Sequence, residues 1–501
     1  MNALILLPVL LPLAGGLLAL LAGRGRPGVE RLVSVAAALS LVPVSAVLLG
    51  EASGGAIQSY AVGDWPAPFG IVLVLDRLAA WMLLVTAIVG SGALLFGLGR
   101  SDESGRHFHT LFQFQLLGIN GAFLTGDLFN LFVFFEVLLI ASYALLSHGG
   151  RPERTQAAIR VAVLNLLGST LFLVAVGCLY AATGTLNFAD LAERGASLPA
   201  DRMGRWQAGA WLLVAVFALK AALLPLGFWL PGAYGVADGA VAALFSVLTK
   251  VGVVAIIRAG TLLFPELGIG PVVWVAALGT LAVGATGMLA ARHLSTLAAH
   301  AVIVSVGVLL VSVAAFSHDA LAAAVYYLAH GTLATAALFL VAARVGVVRG
   351  ETGDALVEGP AFRGRAALPT AFMLAAVAVA GLPPLGGFVA KLAILDAVAG
   401  SVGAAWTWTA VLAASLLSIF ALARAGTTVF WKVGLSRGEL ADIPRWRPLA
   451  VSGIGLLLAA LVLLALLAGP AFEEAEAIAG QLLDRAAYVE AVLGAQRGGG
   501  N

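Results

Sequence analysis

Residues 211–258 decide how this sequence folds: WLLVAVFALKAALLPLGFWLPGAYGVADGAVAALFSVLTKVGVVAIIR. The stretch joins two apolar runs, 209–232 and 239–264, through a short turn that contains Gly235 and Asp238. A helix needs about 20 apolar residues to cross a bilayer, and a backbone in lipid must satisfy its own hydrogen bonds. The stretch therefore predicts two membrane-spanning helices.

The same pattern extends over the whole chain, which is 61% hydrophobic and only 11% charged. A soluble protein has about 25% charged residues, so most of this surface must face lipid. We predict an all-α polytopic membrane protein, and the first run is expected to remain in place because it lacks the basic stretch of a signal peptide. The apolar runs predict fourteen helices, at 2–22, 32–50, 70–98, 110–125, 128–147, 158–183, 209–232, 239–264, 271–291, 294–316, 319–343, 367–399, 406–431 and 448–469.

Basic residues predict the orientation of the chain in a bacterial inner membrane. With the N-terminus outside, clusters of arginine fall in loops that face the cytoplasm, as in 151–160 and 344–349. The outer loops 51–69 and 400–405 then contain no basic residue, and the loop near 184–207, with three arginines, is the exception. This bias follows the positive-inside rule and predicts that both termini lie outside.

Several classes of protein are disfavoured by what the sequence lacks. There is no glycine-rich phosphate loop, and the histidines have neither zinc nor haem spacing, so we expect no cofactor and no metal. The single cysteine, Cys178, is expected to be a small core residue. The net charge of +2 gives no reason to expect a nucleic-acid partner.

Ionisable side chains lie inside the apolar runs, where one charge costs about 2.5–3.5 kcal/mol at the bilayer centre. Three of the four lysines, Lys220, Lys250 and Lys391, are in this position, as is Glu136. The four together cost on the order of 10 kcal/mol, so they require pairing or a function. A desolvated ammonium, unlike a guanidinium, can release its proton, which predicts a proton relay. The alternative is a set of static ion pairs that fix the helix register.

Four further residues are candidates for a place in such a relay. His330 and His300 lie in apolar runs, and a histidine can carry protons near neutral pH, although a lone buried histidine is often only hydrogen-bonded core. Asp396 follows Lys391 by about a turn and a half of helix and is expected to pair with it. Asp127 is a further accessory candidate.

Proline and glycine interrupt two of the apolar runs, and both residue types break helices. The sequence 224–227 (LPLG) follows Lys220, and 381–387 (GLPPLGG) precedes Lys391. Matched broken helices predict two inverted repeats around an ion site at the midplane, with spans 4–8 and 9–13 as the repeats. Ordinary proline kinks would explain either break but not the matched lysines.

The sequence is expected to divide into four units. The first three helices form 1–109, and the two repeats form 110–265 and 266–435. The last unit, 436–501, contains the last helix and an acidic amphipathic helix that lies on the outer surface or against a neighbour.

A family resemblance rests on three stretches: 108–149 (FHTLFQFQLLGINGAFLTGDLFNLFVFFEVLLIASYALLSHG), 219–258 and 381–395 (GLPPLGGFVAKLAIL). They resemble the D subunit of Mrp-type multisubunit sodium/proton antiporters, a family similar to the antiporter-like subunits of respiratory complex I. The resemblance implies fourteen helices with two inverted five-helix repeats. It also implies H⁺ and Na⁺ as the transported ions and the A, B, C, E, F and G subunits of an Mrp complex as partners.

The resemblance also implies a role for each buried ionisable residue. Glu136 is expected to pair with Lys220 on the seventh helix, which is broken, and Lys250 to link two half-channels. His330 is expected to continue the path to Lys391 on the broken twelfth helix. The sequence departs from many relatives at two positions, where Gly227 stands in place of a histidine and Ala334 near the position of a lysine.

Three other functions remain open at this point. The chain could be a proton-pumping subunit of a respiratory oxidoreductase or membrane-bound hydrogenase, which would use nearly the same residues with different partners. It could be a scaffold whose charges only lock the fold, and then an apolar replacement of Glu136 and Lys220 would leave transport intact. A quinone-reactive enzyme is the least supported, because nothing in the chain indicates a redox centre.

Overall fold

The computed structural model describes residues 3–22, 26–359, 366–432 and 448–494, and most of them are helical. Two short strands form an antiparallel pair, β1 (Gln58–Ala61) and β2 (Val72–Leu75). The α-helices are α1 (Leu7–Ala22), α2 (Pro27–Ala52), α3 (Arg77–Gly97), α4 (Phe108–Leu124), α5 (Leu128–Ser147), α6 (Pro152–Thr183), α7 (Phe188–Gly195), α8 (Ala200–Ala221), α9 (Trp229–Tyr234), α10 (Gly239–Phe245), α11 (Leu248–Arg258), α12 (Gly270–Ala290), α13 (Leu294–Val313), α14 (His318–Val348), α15 (Ala367–Ala380), α16 (Gly386–Ala397), α17 (Ala404–Gly426), α18 (Pro448–Leu466), α19 (Ala468–Leu483) and α20 (Arg485–Val489).

The predicted all-helical membrane fold is confirmed. Among the described residues, 11 helices are long and apolar enough to cross a membrane. The three other predicted spans fall on α4, on α8 with α9, and on α15 with α16, which are shorter or interrupted. The total of fourteen crossings, the inverted repeats and the four predicted units stay predictions, and the expected boundary at 435/436 lies outside the described residues.

The helices differ in what surrounds them. The outer helices α2, α17 and α18 leave apolar side chains such as Leu32, Leu416 and Leu463 exposed, as lipid-facing helices do. The stretch from Gly239 to Leu263, which contains α10 and α11, is fully buried over its apolar window, and α13 and α14 are nearly so. The core of the molecule is therefore helical, and the ionisable residues on these central helices lie away from lipid.

Both predicted helix breaks are present. The helix α8 ends at Ala221, where Ala222 has a left-handed backbone (φ 59°), and helix resumes at Trp229. The helix α15 ends at Ala380, Gly381 turns the chain with φ 75°, and α16 begins at Gly386. A helix that stops inside the core leaves its last carbonyl groups without helical partners, and these groups must find others.

A third break was not predicted from the sequence. The run 239–264 is interrupted at Ser246 and Val247, between α10 and α11. The Ser246 hydroxyl donates to the Ala243 carbonyl oxygen at 2.6 Å, and the Ser246 and Val247 amides bond three residues back. A serine hydroxyl that bonds to the preceding turn competes with the regular helical ladder, and Ser246 gives no other signal in the sequence.

The predicted third span is wrong at its start. Val72–Leu75, within the run 70–98, is strand β2, and helix α3 begins only at Arg77. The reason is Asp76, whose carboxylate accepts a hydrogen bond from the Ala79 amide at 2.8 Å and caps the helix. An apolar run alone does not show where such a cap divides a strand from a helix.

The acidic tail after Pro470 is helical, as predicted, and it packs against its own chain. Helix α19 lies against α14 and buries Ile478 and Leu482. Glu474 forms an ion pair with Arg77 at the start of α3 (2.8 Å), and Arg485 pairs with Glu266 (2.8 Å). The tail thereby joins the beginning of α3 to the second half of the molecule.

Candidate functional site

Glu136 lies half-buried on α5 and faces α6. It accepts a hydrogen bond from the hydroxyl of Ser169, a buried residue of α6. The carboxylate is thus held by a neighbouring helix inside an apolar segment.

Lys220 lies in the last turn of α8, immediately before the break, and is only 6% exposed. Its Nζ donates to Asn165 Oδ1 at 3.1 Å and lies 5.8 Å from the centre of the Phe135 ring. The C-terminal end of a helix carries a partial negative charge, so this position favours an ammonium group. The break in α8 therefore helps to hold the buried lysine.

Glu136 and Lys220 do not form the direct ion pair expected from the sequence. In the described part of the chain each has its own hydrogen-bond partner on α6, Ser169 for the acid and Asn165 for the lysine. The two charges still influence each other electrostatically. The physical reason for the difference is that α6 supplies a polar partner for each of the two groups, which sequence spacing on α5 and α8 cannot reveal.

Lys250 is the central lysine, and its side chain is 0% exposed. Its Nζ donates to Ser305 Oγ on α13 at 3.2 Å and to Thr249 Oγ1 at 3.5 Å. Its helix packs tightly on the end of α8, because a Cβ added at Gly252 would lie 2.4 Å from the Ala221 amide nitrogen. The lysine is therefore on a helix in direct contact with the break that carries Lys220.

His330 continues the row on α14 and is 1% exposed. Its Nε2 donates to the Ala378 carbonyl oxygen at 2.9 Å, and its ring lies 6.1 Å from that of Tyr327. The Tyr327 hydroxyl interacts with Ser305, the residue that also binds Lys250. Because a carbonyl only accepts, Nε2 carries the hydrogen, and Nδ1, which has no partner within the described chain, is free to take up a proton.

Lys391 closes the row at the second break. Its Nζ donates to the Ala380 carbonyl oxygen at 2.8 Å and to Ser415 Oγ on α17 at 3.0 Å. Glycines leave the space for it, since a Cβ at Gly381 would lie 2.9 Å from Nζ. A second glycine, Gly387, leaves room for His330, because a Cβ there would lie 2.4 Å from Nε2. The break between α15 and α16 thus places the side chains of Lys391 and His330 at the same turn of the chain.

The accessory candidates lie outside this row. Asp396 is exposed and does not pair with Lys391, because five residues along a helix turn the side chain by about 140°. Asp127 caps α5 by accepting from the Asn130 amide at 2.8 Å. His300 is half-buried on α13, and its Nδ1 has no partner among the described residues.

One cavity is lined by a residue of the row, and a larger one is lined by residues outside it. One of about 30 Å³ lies beside Lys220 and is lined by Asn165 and Tyr143, which is room for about one water molecule. A larger one of about 780 Å³ is lined by charged residues that include Arg154 and Asp238. The smaller cavity, lined mostly by apolar side chains, lies next to Lys220 along the second half of α5.

Sequence reasoning missed the neutral members of the row. Asn165, Ser169, Ser305, Tyr327 and Ser415 connect or hold the charged residues. The only signal in the sequence is a polar residue within an apolar run, and serine is too common in membrane helices for that signal to be selective.

Comparison with known proteins places these features in a family. The family described as "NADH:quinone oxidoreductase/Mrp antiporter, TM" matches residues 125–418. The whole chain (100%) is 38% identical to a protein of Rhizobium meliloti (strain 1021) named as the D subunit of a probable K(+)/H(+) antiporter, of which 99% is covered. It is 36% identical to the D subunit of a Na(+)/H(+) antiporter of Alkalihalophilus pseudofirmus, with 98% of this chain and 100% of that protein covered.

A solved structure has the same fold. One chain in the structure of the Mrp complex from Dietzia sp. DQ12-45-1b superimposes with a TM-score of 0.85 at 28% identity, over 98% of this chain and 100% of that one. The predicted resemblance to Mrp D subunits is confirmed by these matches over the full length. The chain therefore belongs to the NADH:quinone oxidoreductase/Mrp antiporter family of membrane proteins.

Proposed function

We propose that this chain is the proton-translocating D subunit of a multisubunit monovalent cation/proton antiporter in a bacterial inner membrane, with both termini outside. The observation that carries the proposal is the row of buried ionisable groups from Glu136 through Lys220 and Lys250 to His330 and Lys391. Burying that many charges is expensive, and proton transport gives a reason for keeping them.

The proposed path uses the polar contacts along the row. A proton reaches Lys250 through a half-channel near Lys220, where the small cavity beside Asn165 holds space for water. When the positive charge of Lys220 moves away from Glu136, it repels the proton on Lys250. The proton then passes by way of Ser305 and Tyr327 to His330, whose Nδ1 is free to accept it.

Lys391 delivers the proton to the other side, and a monovalent cation moves in exchange. We propose Na⁺ as that cation, and the comparison of Na⁺ with K⁺ is a direct test, because one relative is named for each ion. The proposed partners are the A, B, C, E, F and G subunits of an Mrp complex. The chain is then a transporter subunit and not an enzyme.

The central test is Lys250→Ala. Proton/cation exchange is measured in everted membrane vesicles, with assembly of the complex checked by co-purification. Exchange should fall by about 100-fold, the usual contribution of a positioned proton-transfer group. Lys432→Ala is the matched control, because Lys432 is the exposed lysine that follows α17 and should tolerate the change. Unchanged exchange by an assembled Lys250→Ala complex would remove the relay.

A proton-pumping subunit of a respiratory oxidoreductase is the second candidate, and it is favoured by the family description, which includes NADH:quinone oxidoreductase. The two candidates differ in their partners. Co-purification of subunits that carry iron–sulfur or hydrogenase centres would support the second candidate, and co-purification of antiporter subunits would support the first.

A further inference from the structure

Two buried polar residues of α6 each bind one of the two charged groups at one end of the row. Ser169 Oγ donates to Glu136, and Asn165 Oδ1 accepts from Lys220 Nζ at 3.1 Å. The two α6 residues are 2% (Asn165) and 6% (Ser169) exposed. Because they are four residues apart, they share one face of the helix. One helix face thus holds both charged groups, each by its own hydrogen bond.

The side chain of Asn165 is fixed in this role. Its Nδ2 donates to the Val161 carbonyl oxygen at 3.0 Å, so its oxygen is directed at Lys220. Gly168 lies beside the lysine, since a Cβ there would be 3.9 Å from Lys220 Nζ and 2.6 Å from Leu219 Cδ2. A side chain at this position would therefore have to displace the end of the Leu219 side chain.

We infer that Asn165 and Ser169 are positioning residues that hold Glu136 and Lys220 apart, in the separated arrangement seen here. This inference rests on the proposed function, in which the approach and separation of these two charges drive the proton. The two charges influence each other electrostatically, so without the two hydrogen bonds neither α6 side chain would oppose their attraction. The cavity of about 30 Å³ beside Lys220 gives its ammonium group room to move.

The test compares Ser169→Ala and the double variant Asn165→Leu/Ser169→Ala with a matched control, Thr170→Val. Thr170 is the next residue of α6, and among the described residues its exposed hydroxyl bonds only to the Leu166 carbonyl oxygen. Exchange in everted vesicles of the assembled complex is measured across a range of pH. The double variant should exchange about tenfold more slowly and with an altered pH profile. The single variant Ser169→Thr, which keeps the hydroxyl, should retain the parental rate and pH profile.

The inference is overturned if the double variant assembles and matches Thr170→Val in both rate and pH profile. Should the double variant fail to assemble, Ser169→Ala alone serves, since it removes one oxygen atom. Cryo-electron microscopy of that complex should then show Glu136 and Lys220 within about 4 Å, the distance of an ion pair. A carboxylate still separated from Lys220 would contradict the inference.

Lys250→Ala, measured alongside, distinguishes a failure of the proposed function from a failure of the role inferred for Asn165 and Ser169. If Lys250→Ala exchanges ions at the parental rate, the proposed function itself fails. If Lys250→Ala is inactive and the α6 variants behave as the control does, only the role of Asn165 and Ser169 is lost.

Discussion

Lys391 Nζ lies 2.8 Å from the carbonyl oxygen of Ala380, the residue with which α15 ends. Lys220 lies in the last turn of α8, before its own break, and its Nζ donates to Asn165 Oδ1 on α6. The partial negative charge at a helix C-terminus stabilises an ammonium close to it, as for Lys391 beside Ala380. Each break therefore has a buried lysine next to it, but the two ammonium groups have different hydrogen-bond partners.

Lys391→Arg should show whether exchange requires only a positive charge at this position or also the release of a proton. Arginine keeps the positive charge next to Ala380 but does not release a proton, so we expect normal assembly and about 100-fold slower exchange. Exchange and co-purification are measured in the same vesicles, with Lys432→Arg as the control. An active Lys391→Arg complex would show that the charge alone suffices.

Gly387→Ala should disturb His330 directly. The added Cβ would lie 2.4 Å from Nε2 and 2.8 Å from the Ala378 carbonyl oxygen, so the hydrogen bond between them must break or the helices must shift. Such overpacking costs about 1–3 kcal/mol. Thermal unfolding and exchange are the measurements. Gly400→Ala is the matched control, since nothing lies within 4 Å of its added Cβ, and equal behaviour of the two variants would argue against the tight fit.

Replacing Glu136 and Lys220 together by Gln and Met should stop exchange. Burying charged groups often costs more than their interactions return, so the uncharged variant should keep its stability. If the two charges only locked the fold, its exchange would also stay at the parental rate. We therefore expect an assembled complex of near-parental stability with little exchange. Asp396→Asn/Lys432→Met is the control, with one acid and one lysine removed at exposed positions. Exchange at the parental rate by the Gln/Met variant would support the alternative that the chain is a scaffold whose charges only lock the fold.

Asp102, in the loop between α3 and α4, should make stability depend on pH. Burial alone would raise the pKa of its carboxyl, but hydrogen bonds with His109 and Arg31 outweigh burial and hold the pKa below its usual range. Arg31 Nε lies 2.6 Å from the carboxylate. A lowered pKa stabilises the folded state above about pH 4, and this stabilisation is lost as the pH falls through the folded-state value.

Asp102→Asn should therefore lower the unfolding temperature at neutral pH. The loss is on the order of 1–2 kcal/mol, because Arg31 is partly exposed to water. Thermal unfolding in detergent at pH 7 and at a pH well below about 4 is the measurement, and the difference from the parent should shrink at the lower pH. Asp201→Asn, at an exposed position, is the control. A difference independent of pH would exclude this ionisation as its cause.

The sequence predicted what composition and helix chemistry determine. A lysine within an apolar run is visible in one dimension, and so is a proline–glycine break, which is why Lys220, Lys250 and Lys391 were found. Hydrogen-bond partners depend on which helices become neighbours. The contacts of Asn165 with Lys220 and of Ser305 with Lys250 join residues 55 positions apart in each case, and no spacing rule predicts them.

The tail helix has a consequence for how the chain is made. Glu474 and Gln481 satisfy the side chain and the amide of Arg77, roughly 400 residues earlier. Translation proceeds from the N-terminus, so α3 enters the membrane long before its partners leave the ribosome. Until α19 is synthesised, the N-terminal end of α3 therefore lacks the hydrogen-bond and ion-pair partners that Gln481 and Glu474 provide.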